Sequence, residues 1–122
     1  MIKRLLSALF AVVAAAGLLF AAAPTALASN ASTNGCTTLW VEYTTSGGLR
    51  SIHWAEARNI CGTYWGFHNV GGVTGPTHNQ GSFRVNYGGV GVAPGNYICA
   101  ESWQHVSGTH FNRVGAPCTL IA

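Results

Sequence analysis

Four cysteines, Cys36, Cys61, Cys99 and Cys118, limit most strongly what this chain can fold into. No two of them stand in the C-x2-C or C-x4-C spacing of a zinc knuckle, so a zinc-thiolate site is not expected. In a short exported chain an even set of widely spaced cysteines reads as disulfides, here two. Small domains use such staples because their cores bury too little apolar surface to hold the fold alone.

Export is read from the N-terminus. Lys3 and Arg4 precede an apolar run from Leu5 to Ala23, and the run closes after Pro24 on the small residues Ala26 and Ala28. This is the pattern of a secretory signal peptide cleaved after Ala28; a membrane anchor would lack the small-residue end. The expected organisation is a signal peptide over 1–28, a flexible polar leader over 29–35 (the "SNASTNG" stretch) and a single disulfide-stapled β domain over 36–122. The expected location is secreted and extracellular, with no membrane attachment after cleavage.

Charge narrows the partners. Beyond residue 28 the charged side chains are Arg50, Arg58, Arg84 and Arg113 against Glu42, Glu56 and Glu101, with no lysine and no aspartate. The formal net charge of +3 for the whole chain therefore owes two positive charges to Lys3 and Arg4. Nothing in this balance offers the basic surface that nucleic acid or an anionic membrane requires.

Hydrophobic alternation with period two recurs along 36–122. "CTTLWVEYTT" sets Leu39, Val41 and Tyr43 against Trp40, Glu42 and Thr44, and "SFRVNYGGVGV" sets Phe83, Val85 and Tyr87 against Arg84 and Asn86. "LRSIHWAEARNIC" fits a helical face as well as a strand, and its Ile, His and Trp content favours the strand. "GTYWGFHNV", "NYICAESWQHV", "HFNRV" and "CTLIA" complete the set, whereas Gly71–Gly81 reads as an irregular Gly/Pro/Asn loop. Short strands with frequent turns predict an all-β protein, a small antiparallel sandwich or barrel of about six to seven strands.

Hairpin register predicts the staples. A first hairpin centred on Gly47–Gly48 brings Cys36 near Cys61. A second, centred on Ser107–Gly108, brings Cys99 near Cys118. The second register also sets His105 opposite His110, and Glu101 diagonal to Arg113 as a surface ion pair. A rival pairing follows from "APGNYIC", where Tyr97 stands two residues before Cys99 and resembles the tyrosine corner of immunoglobulin sandwiches. That resemblance implies Cys61–Cys99 and Cys36–Cys118.

Catalytic arrangements are poorly supported. Without aspartate there is no Ser-His-Asp triad, and no nucleophile elbow marks a Ser-His-Glu version. Glu, His and Arg suit a small secreted hydrolase such as a ribonuclease, but the His-Glu-Tyr and Arg-Arg segments of the bacterial guanyl-specific ribonucleases are missing. His105 and His110 have no third metal ligand fixed by the sequence, so no metal and no cofactor are expected.

Aromatic residues carry the functional expectation. Trp40, Trp54, Trp65 and Trp103 accompany Tyr43, Tyr64, Tyr87 and Tyr97, more than so small a core needs. Trp103, Trp54, Trp40 and Tyr64 are the candidate binding residues, since such side chains anchor protein interfaces and sugar rings. In size, cysteine number and strand content the chain resembles the tendamistat-type amylase inhibitors. In size and export it is similar to small adaptor subunits of secreted antibacterial protein particles. The resemblance implies a non-enzymatic extracellular domain that binds a protein, as inhibitor or adaptor; the alternative is a carbohydrate-binding module for an extracellular polysaccharide.

Overall fold

The computed structural model describes residues 26–122, apart from the side chain of Gln80. The expected signal peptide lies outside the described residues except for Ala26–Ala28. The described chain is all-β, with ten strands in two antiparallel sheets packed as a sandwich.

Strands β1 (Ala26–Asn34), β2 (Thr37–Ser46), β3 (Leu49–Asn59) and β7 (Ser82–Val92) form one sheet in the order β1-β2-β3-β7. The other sheet holds β4 (Tyr64–Val70), β5 (Val73–Thr74), β6 (His78–Gln80), β8 (Tyr97–Ser107), β9 (His110–Gly115) and β10 (Cys118–Leu120). Within it β8 pairs β4 on one side and β9 and β10 on the other, and β5 and β6 both pair β4. The core is what the alternation dictates: Leu39, Val41, Tyr43, Ile52, Ala55 and Ala57 face Val70, Ile98, Ala100 and Ile121.

Three expectations about strands change. Ser29–Gly35 is not a mobile leader: residues up to Asn34 belong to β1, paired along its whole length with β2. Its polar residues hid it, because β1 is held by backbone bonds and hydroxyls instead of apolar side chains. Ser32 Oγ donates to the Cys118 carbonyl at 2.7 Å, Asn30 Nδ2 donates to the Leu120 carbonyl at 2.8 Å, and Thr33 and Thr38 pair their hydroxyls at 2.8 Å. Gly71–Gly81 is not wholly irregular either, since β5 and β6 lie within it and return along β4. Together with β1, these short pairings raise the strand count from the expected six or seven to ten.

The staples are Cys36–Cys61 and Cys99–Cys118, with Cα atoms 5.2 and 4.0 Å apart, so the immunoglobulin-like pairing does not occur. Cys36–Cys61 joins the turn before β2 to the segment after β3 and so closes the β2–β3 hairpin, whereas Cys99–Cys118 closes β8 onto β10. Cys36 lies beside the end of β3, where Ile60 N–H donates to the Cys36 carbonyl at 2.9 Å. Cys99 and Cys118 are direct cross-strand partners on β8 and β10.

Candidate functional site

The two sheets turn their decorated faces to solvent on opposite sides of the sandwich. On the six-stranded sheet, alternation along β4 sends Trp65 and Phe67 outward, and alternation along β8 sends Glu101, Trp103 and His105 outward. Register then assembles them: Phe67 opposes Trp103, Trp103 opposes Arg113, and His105 opposes Phe111. Phe67 and Trp103 stack with ring centroids 6.2 Å apart, and Phe111 meets Phe67 edge-on at 5.2 Å. The Trp103 indole N–H donates to Glu101 Oε2 at 3.1 Å, and Glu101 also meets Arg113 at 3.5 Å, the expected surface ion pair. Trp65 is 52% exposed at one end of this row.

His105 does not face His110. The turn falls on Gly108–Thr109, Val106 is extruded from the pairing, and the partner of His105 becomes Phe111, whose ring stands edge-on at 5.3 Å. His105 Nε2 bonds instead to the Gly108 carbonyl at 2.8 Å. Among the described residues no group of three or more His, Cys, Asp or Glu side chains is placed to hold a metal ion.

Trp40 and Trp54 lie together on the outer face of the four-stranded sheet, away from Trp103. There Trp40 opposes Glu56, Glu42 opposes Trp54, Arg84 opposes Glu56, and Asn86 opposes Trp54. Arg58 lies over the Trp40 ring at 5.3 Å and Arg84 over the Trp54 ring at 3.9 Å. Glu56 joins them: Arg58 Nε donates to its Oε1 at 2.6 Å and Arg84 Nε to its Oε2 at 2.7 Å. Burial pushes the Glu56 carboxyl up, but the two arginine bonds outweigh it and hold the group below its ordinary value.

Tyr64 belongs to neither outer face. It starts β4 on the inward side, and its buried hydroxyl lies toward Ser102 without a well-formed hydrogen bond. Beneath it the sandwich encloses a polar cluster that the sequence did not reveal. Thr37 Oγ1 donates to Ser102 Oγ at 2.7 Å, and Ser102 Oγ lies 2.6 Å from His68 Nδ1, all three residues fully buried. Burial, helped by the nearby His78, pushes His68 down to about 4, so its ring is neutral at pH 7. His68 Nε2, on the other side of the ring, is buried without a hydrogen-bond partner among the described residues. This serine–histidine pair touches no carboxylate: the three glutamates all stand on the outer faces.

The four candidate binding residues thus fall in three places, and the residues missed are those that complete each face: Phe67, Phe111 and Trp65 on one, Glu56, Arg58 and Arg84 on the other. The run Trp54-x-Glu56-x-Arg58 places three such groups on one side of a strand and was readable in the sequence. In comparison with known proteins, the chain matches no family model, no curated protein and no solved structure.

Proposed function

We propose that the chain is an exported, non-enzymatic domain that binds a partner protein, as a hydrolase inhibitor or an adaptor subunit, through the outer face of the six-stranded sheet. The observation that carries this reading is the row Phe67–Trp103–Phe111 with Trp65 at its end, held on a rigid sheet. Interface energy concentrates in such aromatic anchors, and anchors already stacked lose little freedom on binding. Glu101 and Arg113 supply a polar rim. The non-enzymatic reading is supported by the burial of Ser102 and His68, which keeps their hydroxyl and imidazole from a substrate. Export is supported by the disulfides, which persist in oxidising compartments.

A second reading, polysaccharide binding, is favoured by the 52% exposure of Trp65, since an open indole face stacks on sugar rings. Affinity capture from culture supernatant, run in parallel with retention on insoluble polysaccharide, tests both. Protein binding is supported by a stoichiometric partner that wild-type captures and Trp103→Ala does not. Retention on polysaccharide that is lost in Trp65→Ala replaces it with the second reading.

A further inference from the structure

On the opposite side of the sandwich, the Arg58–Glu56–Arg84 group is built like a receptor for anions. The Glu56 side chain is only 11% exposed while each arginine side chain is 44% exposed, so the negative charge lies beneath two outward guanidinium groups. Glu56 engages each arginine through Nε alone, and no described protein group accepts from their Nη atoms. Each guanidinium is also stacked on a tryptophan. The ordering that a flexible arginine usually undergoes on binding has therefore already taken place.

We propose that this face reads two carboxylates of an extended acidic segment on a partner protein, one at the Nη edge of Arg58 and one at that of Arg84. Spacing supports an extended segment. Arg84 opposes Glu56, and Arg58 follows Glu56 by two, so the arginines are diagonal cross-strand neighbours, a relation that separates residues by about 7–8 Å. Alternate side chains of an extended chain repeat at about 7 Å. Geometry favours carboxylates over phosphate: each guanidinium offers its own Nη edge, which suits two separate carboxylates, one per arginine, better than one compact phosphate. Trp54 favours protein over polysaccharide, because the Arg84 guanidinium lies 3.9 Å over its ring and takes the place of a stacked sugar, although Trp40 stays 37% exposed. Glu42, beside Trp54, repels acid on that flank and directs the segment across the Arg58–Arg84 diagonal.

The proposal deepens the protein-binding reading but concerns the other face, so its test leaves Trp103 untouched. The probe is a blocked pentapeptide with glutamate at its second and fourth positions, titrated into the whole folded domain while the arginine Nε–H and tryptophan indole N–H resonances are followed. Saturable shifts of Arg58, Arg84, Trp40 and Trp54 are expected, with Trp103 stationary. The glutamine analogue, and inorganic phosphate at matched ionic strength, should bind roughly tenfold more weakly or worse. Arg58→Lys/Arg84→Lys, which keeps charge but not the fork, should lose the same factor while its Trp103 resonance confirms the fold. Equal response to the glutamine peptide, tighter binding of phosphate, or uniform shifts at all four arginines would overturn the proposal. Loss of partner capture in Trp103→Ala bears only on the other face.

Discussion

Ser102 and His68 face each other across β8 and β4, with Oγ and Nδ1 2.6 Å apart and both residues fully buried. Their burial has a consequence for acid stability. The unfolded chain protonates His68 at its ordinary value near 6.5, whereas the folded chain resists until about 4. Between these values the unfolded state binds more protons, so stability is fully present above pH 6.5 and is lost as pH falls towards 4. Denaturant melts at pH 7 and pH 4.5 should differ by about 2–3 kcal/mol. His68→Gln should flatten the profile across that interval, whatever it costs at neutral pH. Glu56, held below its ordinary value, adds its own loss only at lower pH.

Trp103→Ala should weaken partner binding by about thirtyfold or more, the usual cost of truncating an interface anchor. Removing the Phe67 stack should cost about 1 kcal/mol of stability. His105→Ala/His110→Ala should bind almost normally and ignore chelators, since the two side chains are not cross-strand partners. Chelator-sensitive binding would contradict the geometry of this hairpin.

Two glycines make a paired test of packing. A Cβ on Gly66 would run into the Trp103 carbonyl oxygen, with the carbonyl carbon at 3.0 Å, whereas one on Gly48 would meet open space. Gly66→Ala should therefore destabilise by about 2 kcal/mol or more, and Gly48→Ala should stay within about 0.5 kcal/mol. Thermal melts of the two variants decide it, and equal melting temperatures would contradict the β4–β8 packing.

Peptide mapping without reduction should yield Cys36 joined to Cys61 and Cys99 joined to Cys118. Replacing either pair by alanine should cost on the order of 3 kcal/mol, as expected for loops of this length.

What the sequence made legible was alternation and staples. The inward rows of β2 and β7 could be read residue by residue, because Leu39, Val41, Tyr43 and then Phe83, Val85, Tyr87 mark one face unambiguously. Bulges could not. In the first hairpin, His53 is an extra residue between Ile52 and Trp54, yet the slip is small enough that Cys36 still reaches Cys61. In the second, the extruded Val106 and the turn at Gly108–Thr109 replace His110 by Phe111 opposite His105. Gly108 stands at φ 55°, as Gly47 does at φ 60°, each the first central residue of its two-residue turn. Edge strand β1 was hidden for another reason: its bonds come from backbone and hydroxyl groups, which leave no hydrophobic period to detect. The buried Ser102–His68–Thr37 contact joins three strands far apart in sequence, and no local pattern announces it.

Because one staple closes the β2–β3 hairpin and the other closes the segment from β8 to β10, the domain should respond to mechanical load in two stages. Pulled from its ends, it can separate its sheets and shed β1 while both covalent loops stay shut. The loops span separations of 25 and 19 residues, and at about 3.4 Å per residue they withhold roughly 150 Å of contour length. A reductant in the pulling buffer should release that length as two further steps, the longer from the Cys36–Cys61 loop. A stapled sandwich of this kind is thus a short tether under tension in an oxidising compartment, and a longer one only where thiols are present.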